Sequence, residues 1–220
     1  MNLLVTENIT QINQKDLSYL MQLLPTHMVE RSKKYFRWQD AQAYLLGKML
    51  LMEGINKLGL EFRLIHNLRY TENNRPYLSN DLDFNISHSG DYVVCAIAKK
   101  RRIGVDIEKI NDINFMHYLS HFTQREWLTI NGSIHPHNEF YRYWTIKEAA
   151  IKADGRGLNI PLEEVEVASD VAIQQQRWYY RQLYVQHEYM LHVVSDLPIE
   201  SSLCATNICL TDFLQSIKSK

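Results

Sequence analysis

Residues 103–110, IGVDIEKI, constrain the fold more than any other stretch. Ile103, Val105 and Ile107 alternate with Gly104, Asp106 and Glu108, and a period of two predicts a β-strand. Asp106 and Glu108 then leave one face of that strand, while Val105 and Ile107 leave the other. Neighbouring carboxylates repel, at a cost that climbs as water is withdrawn. A solvated surface strand avoids that cost, and so does a shared cation. Two hard oxygen donors suit Mg²⁺, which keeps several waters and completes its shell with a substrate phosphate. The choice between these readings depends on what stands beside the strand.

A chain of 220 residues suits one domain, or two lobes sharing a core. With 45% apolar and 22% charged residues it can bury such a core. The formal net charge of −1 supplies no basic field for nucleic acid or an anionic membrane. The N-terminus has neither the basic flank nor the apolar run of a signal peptide, and no run approaches the ~18 residues of a membrane span. Cys95, Cys204 and Cys209 are too few and too scattered for a disulfide framework, and Cys95 reads as core. A cytoplasmic setting is expected.

Strand patterning is expected at residues 2–6, 62–70, 84–87 and 92–98, the last two flanking a Ser89–Asp91 turn. A helix is expected over 16–24. From 29 to 58, Tyr35, Trp38, Ala41, Leu45, Leu46, Met49 and Met52 recur at helical spacing. Gly47 and Gly54 interrupt that run, so it predicts two helices, or one with a close-packing point. Further on, 114–122, 124–130 and 139–153 read as helices, with a loop at 131–138. Gly155 and Gly157 close the last of these helices. Strands follow at 165–168, 178–185, 189–194 and 203–209. The order strand, helix, strands thus occurs twice, breaking near residues 101–103. An α+β fold of two similar lobes, 1–102 and 103–220, is the expectation.

In the helix at 139–153, Glu148 and Lys152 stand at i and i+4, with Trp144 one turn before them. That pair is either a surface ion pair or a third carboxylate and a lysine brought to the metal strand. A metal plus a point charge is what phosphoryl transfer needs, since charge develops on the phosphate oxygens. Ser87-His88-Ser89-Gly90 is either a polar hairpin turn or a phosphate-binding loop. Arg31, Lys33, Lys34 and Arg37 form a solvated helix face, or grip a phosphate. His135 and His137 read as a polar loop.

Three blocks, FNISHSGDYVVCAIA, IGVDIEKI and FYRYWTIKEAAIKADGRGL, resemble in order and spacing the signature blocks of the 4′-phosphopantetheinyl transferases, Sfp-type subfamily. The resemblance spans about residues 75–158, and ERSKKYFRWQDAQAYLLG extends it more loosely. It implies two pseudo-twofold-related lobes with coenzyme A in the cleft between them. Its 4′-phosphopantetheine arm passes to a serine of an apo carrier protein, leaving 3′,5′-ADP. On that pattern Asp106, Glu108 and Glu148 match the Mg²⁺ ligands, and Glu148 is also the candidate base. Lys152 matches the pyrophosphate lysine, and His88, with Ser87 beside it, the phosphate-binding loop. Arg75 and Pro76 stand beside the adenine, where Asn74 replaces the usual glycine. Arg31, with Lys33 or Lys34, addresses the 3′-phosphate, although Met28 and Ala43 replace basic residues common in the family. A monomer is expected, with the carrier docking between Asn111 and Ile130 through residues such as Met116, while Leu119 and Phe122 close the core. Rival expectations are a two-carboxylate hydrolase, a coenzyme A-binding module without catalysis, and a short trimeric carrier-protein synthase, whose architecture needs about half this length.

Overall fold

In this computed structural model the first strand, β1 (Asn2–Glu7), leads into α1 (Gln14–Gln22), α2 (Thr26–Ser32) and the long α3 (Trp38–Lys57). A short hairpin, β2 (Arg69–Tyr70) and β3 (Pro76–Tyr77), precedes a long one, β4 (Leu82–Ser89) and β5 (Tyr92–Lys99). The pattern then repeats with β6 (Ile103–Lys109), α4 (Gln124–Gly132) and the long α5 (Pro136–Asp154). Next come β7 (Val165–Val167), β8 (Val171–Ile173), β9 (Gln176–Leu183) and β10 (Tyr189–Ser195), and finally β11 (Ala205–Asn207) and α6 (Leu210–Lys218). The structure describes residues 1–79 and 81–218. Asn80, Ser219 and Lys220, which fall in the two expected lobes, lie outside the described residues, as does the side chain of Leu158 at the end of the resembling stretch.

One sheet has the order β11-β1-β5-β4 and the other β6-β10-β9-β8-β7. In both, a first strand pairs antiparallel with the second strand of a later hairpin, giving β1-β5-β4 and β6-β10-β9. That recurrence is the α+β pseudo-repeat expected from element order. Leu46, Met49 and Leu50 of α3 pack on one sheet, and Phe140, Ile146 and Ala150 of α5 belong to the core of the other. A third core joins the two sheets through Leu3, Val94, Ala96, Val105, Ile107 and Leu191. Val105 and Ile107 therefore face the opposite sheet, and Asp106 and Glu108 are left to the α5 side.

Three close approaches set the spacing of these layers. A Cβ on Gly104 would run into the carbonyl of Ala149 and the amide of Ala153, so α5 lies directly on the backbone of β6. Cβ atoms on Gly47 and Gly54 would come within 2.9 and 2.7 Å of Ile86 and Ile97. Both glycines are thus packing points inside one continuous helix, and the break between α2 and α3 falls at residues 33–37 instead.

The two sheets are joined edge to edge by side chains. Asp83, Asn85, Ser87 and Ser89 of β4 accept the backbone N–H groups of Ile103, Val105, Ile107 and Lys109 of β6, at 2.8, 3.0, 3.5 and 3.1 Å. Each acceptor lies twenty residues before its donor, so the two strands hold one register. Arg75 locks the start of this ladder. Its buried guanidinium makes two bonds to Asp83 (2.6 and 2.7 Å) and reaches the carbonyls of Lys152 (3.0 Å) and Ile103 (3.1 Å).

Several local expectations change. Residues 62–70 form a 3-10 turn, Phe62–Asn67, followed by the two-residue β2, because buried Ile65 and Leu68 recur at three and not at two. Residues 115–121 are likewise 3-10. α5 starts at Pro136, which serves as its first residue without needing an N–H donor. β8 and α6 were not expected. The strand foreseen at 203–209 shrinks to β11, which pairs in parallel with β1. Phe213 and Leu214 of α6 then enter the first core, so the C-terminal segment crosses back over the first sheet.

Candidate active site

Where β4, β6 and α5 meet, Ile86, Ser87, His88, Asp106, Glu108, Trp144, Glu148 and Lys152 line a cleft of about 310 Å³. All of these but Ile86 are residues singled out from the sequence. The strand period delivers Asp106 and Glu108, the i,i+4 spacing delivers Glu148 and Lys152, and Gly104 lets the two elements touch. Lys152 Nζ lies 2.5 Å from Asp106 Oδ1 and 3.2 Å from Ser87 Oγ. Ser87 Oγ donates to the same Asp106 Oδ1 at 2.8 Å, and Ser89 Oγ donates to Glu108 Oε2 at 2.8 Å. Asp106 Oδ2 is buried and has no hydrogen-bond partner.

Burial, then the adjacent Asp106 charge, pushes the Glu108 carboxyl up to about 7. Burial also raises Glu148, against the pull of Lys152, and partial desolvation lowers His88. A carboxyl whose folded-state pKa is raised stabilises the fold while it is protonated, and loses that contribution as pH rises through the raised value. Metal-free Glu108→Gln should consequently be about 1–2 kcal/mol more stable than the parent at pH 8, after allowance for partial solvent screening, and equal to it near pH 4. Urea melts at both pH values in EDTA check this. Equal stability at pH 8 would mean that Glu108 carries no such strain.

Trp144 closes one wall. It stacks on Phe140 and on His121, both with ring centroids at 5.8 Å, and meets Tyr118 edge-on at 5.4 Å. The segment 115–122 is thus held over α5 by aromatic contacts. Phe122 is buried as expected, but Leu119 is 38% exposed and Met116 52% exposed, so Leu119 does not close the core. The 3-10 turn exposes both residues on its outer side. His137, on α5, lies 3.3 Å from the Ile113 carbonyl and from Asp112.

The basic residues near α2 separate. Lys33 pairs with Glu30 on the surface, Lys34 is exposed, and Arg31 turns back over the Tyr44 ring at 5.5 Å. Lys48, missed from the sequence because it sits on the buried face of α3, approaches the same ring at 5.0 Å. Burial lowers Lys48 to about 8, Arg31 lowers it further, and no carboxylate opposes them. The Tyr44 hydroxyl is buried without a partner. Two cations thus meet one ring whose hydroxyl has no partner. Arg75 is occupied by Asp83 and backbone carbonyls, and the adjacent Pro76 lies in β3.

Residues 102–203 match the family model of the 4′-phosphopantetheinyl transferase superfamily, and residues 11–100 match that of the 4′-phosphopantetheinyl transferase N-terminal region. The chain belongs to the 4′-phosphopantetheinyl transferase superfamily, and to its Sfp type. Its relatives include the 4′-phosphopantetheinyl transferase Gsp of Aneurinibacillus migulanus, 36% identical over 59% of this chain and 55% of that one. Sfp of Bacillus subtilis is 29% identical over 71% of each chain. A Haemophilus influenzae protein named for the same activity is 31% identical over 72% of this chain and 73% of its own. The chain spans between half and two thirds of the length of several of the curated relatives it matches.

Proposed function

We propose that the protein transfers the 4′-phosphopantetheine group of coenzyme A to a serine hydroxyl of an apo carrier protein or carrier domain, releasing 3′,5′-ADP. The carrying observation is the meeting of Asp106, Glu108, Glu148, Lys152 and His88 in one cleft between the two halves of the pseudo-repeat. Relatives named for this transfer support it.

The residues present fit Mg²⁺. Asp106 Oδ2 is a buried acceptor without a partner, and Glu108 is held up to about 7 by burial and that neighbour. Among the described residues no three metal-binding side chains already enclose a point. The three carboxylates share one cleft, where Mg²⁺ would meet them together with water and substrate phosphate. Asp106, Glu108 and Glu148 would hold it, and when bound it would neutralise charge on the pyrophosphate oxygens.

Lys152, on the same side, meets the pyrophosphate as a point charge, and His88 offers a ring N–H to a phosphate oxygen. Glu148 takes the proton from the carrier serine, whose oxygen attacks the β-phosphorus. The bond from that phosphorus to the bridging oxygen breaks, and the electron pair leaves on 3′,5′-ADP. The leaving group is already a stable anion and needs little acid assistance, so positioning and electrostatics dominate. Incubation with coenzyme A, Mg²⁺ and an apo carrier protein, followed by weighing the carrier, tests the reading. A carrier of unchanged mass would reject it, and a mass gain undiminished by EDTA would reject the metal reading. Cytoplasmic location and a monomeric state belong to the same proposal. Among the described residues no helix is long and apolar enough to cross a membrane.

Arg31, beside Lys48 and Tyr44, addresses the 3′-phosphate. Arg31→Ala should weaken coenzyme A about tenfold or more, as loss of a charge-assisted contact does, and leave dephospho-coenzyme A nearly unchanged. His88→Ala serves as the comparison, and equal losses for both ligands in calorimetry would move either residue to the pyrophosphate. The carrier docks between Asn111 and Ile130, where Met116 and Leu119 present an adaptable apolar surface beside Trp144. Met116→Asp should raise the carrier KM about tenfold at unchanged coenzyme A affinity. An unchanged KM would move the docking face elsewhere.

A further inference from the structure

We propose that Ser87 and Ser89 are positioning residues that set which oxygen of Asp106 and of Glu108 is free to meet a divalent cation. The inference rests on the metal reading above and assigns to β4 a task that the loop's resemblance to a phosphate cradle does not include. Each serine makes the same pair of bonds. Ser87 Oγ donates to Asp106 Oδ1 (2.8 Å) and accepts the N–H of Ile107 (3.5 Å). Ser89 Oγ donates to Glu108 Oε2 (2.8 Å) and accepts the N–H of Lys109 (3.1 Å). The serine is thus fixed to the backbone one residue beyond the carboxylate that it holds, and the unit recurs two residues along both strands.

A hydroxyl has one proton and two lone pairs. On Ser87 the proton goes to Asp106, and the lone pairs go to Ile107 and to Lys152 at 3.2 Å. This buried hydroxyl has nothing left for a phosphate oxygen. It holds Oδ1 and leaves Asp106 Oδ2, the atom that is buried without a partner. Ser89 holds Glu108 Oε2 and leaves Oε1. Lys152 of α5 meets the same Oδ1 at 2.5 Å, so β4 and α5 together leave Oδ2 on Asp106, while β4 alone leaves Oε1 on Glu108, although both carboxylates belong to β6. Because β4 belongs to the first sheet and β6 to the second, the carboxylates keep this orientation only while the two sheets stay in register. Outer hydrogen bonds of this kind are worth about 10–100-fold in metal affinity.

The test uses the full chain with Mn²⁺ as probe, its free concentration followed by electron paramagnetic resonance without coenzyme A, and calorimetry of coenzyme A in EDTA. Ser87→Ala and Ser89→Ala should each weaken Mn²⁺ about tenfold or more, and Ser89→Thr, which keeps the hydroxyl, should stay within threefold of the parent. Coenzyme A affinity without metal should change less than twofold. Mn²⁺ affinity unchanged in Ser89→Ala would overturn the proposal, as would a metal-free loss of coenzyme A affinity in both alanine variants, which would make the serines ligand contacts. If Ser87→Ala does not fold, the half-exposed Ser89 carries the same decision. A parent chain that binds no Mn²⁺, or from which Mg²⁺ does not displace it, would instead reject the metal reading itself, and this proposal with it.

Discussion

Glu148→Gln should lower kcat about 10³-fold at saturating coenzyme A, carrier and Mg²⁺, with the fold intact. An unactivated serine hydroxyl is a weak nucleophile at neutral pH, and a positioned base contributes about 10²–10⁴-fold. Glutamine matches glutamate in shape but takes no proton. Glu148 is half-buried, and burial raises its carboxyl, which makes it a better proton acceptor than an exposed glutamate. The carboxylate form is the active one, so the rate should fall on the acid side and recover as pH rises through the raised value. That acid limb should vanish in Glu148→Gln. Titration of Mg²⁺ separates the two roles: a lost ligand is compensated by more metal, whereas a lost base is not. A loss of less than tenfold at saturating Mg²⁺ would remove Glu148 from the chemistry.

Lys147→Met should cost about 3–5 kcal/mol of stability, the range for breaking a buried ion pair from one side. Lys147 is fully buried between α5 and α4, with Nζ 2.8 Å from Glu126 Oε2. It also donates to the carbonyls of Val165 (2.7 Å) and Leu162 (3.0 Å). Burial lowers its pKa and Glu126 opposes that shift, so the charge is retained by its partner. Glu126 is itself committed: it accepts the N–H of Thr123 in a capping box at 2.9 Å and the N–H of Val167 at 3.2 Å. Removing the ammonium leaves a carboxylate in the core facing two carbonyls. For a chain of this size the melting temperature should fall by about 10 °C. Lys147→Met with Glu126→Gln should recover part of the loss, because no unpaired charge then remains. Equal melting of parent and Lys147→Met would show that the pair carries no net stability.

Lys147 and Glu148 are neighbours in one helical motif, yet the sequence makes only one of them visible. Glu148 stands four residues from Lys152 and one turn from Trp144, so helical spacing alone places it with them. Lys147 meets a glutamate twenty-one residues away, and no periodicity links two helices across a loop. The same division holds for β4. Its alternation of Asp83, Asn85, Ser87 and Ser89 with Leu82, Phe84 and Ile86 was a readable sign that one face meets polar groups. That those groups are the amides of β6 follows only from the packing of one sheet's edge on the other's. Arg75 shows the limit most directly. Its position near the resembling blocks is legible in the chain, whereas the bonds of its guanidinium to Asp83 and two carbonyls come only from the fold.

The sequence by itself determined which residues share a face. Period two in β6 set Asp106 beside Glu108, period 3.6 in α5 set Glu148 beside Lys152, and Gly155, with φ +88, ended that helix. These are properties of local backbone geometry, and neighbours in the chain suffice to express them. Only the tertiary structure decided what each face meets. It set α5 on the backbone of β6 at Gly104, drew β4 across to the carboxylates, and returned α6 to the first core. Burial then made ordinary side chains unusual, since the shift of Glu108 to about 7 and the charge-bearing core site of Lys147 both arise from water being excluded.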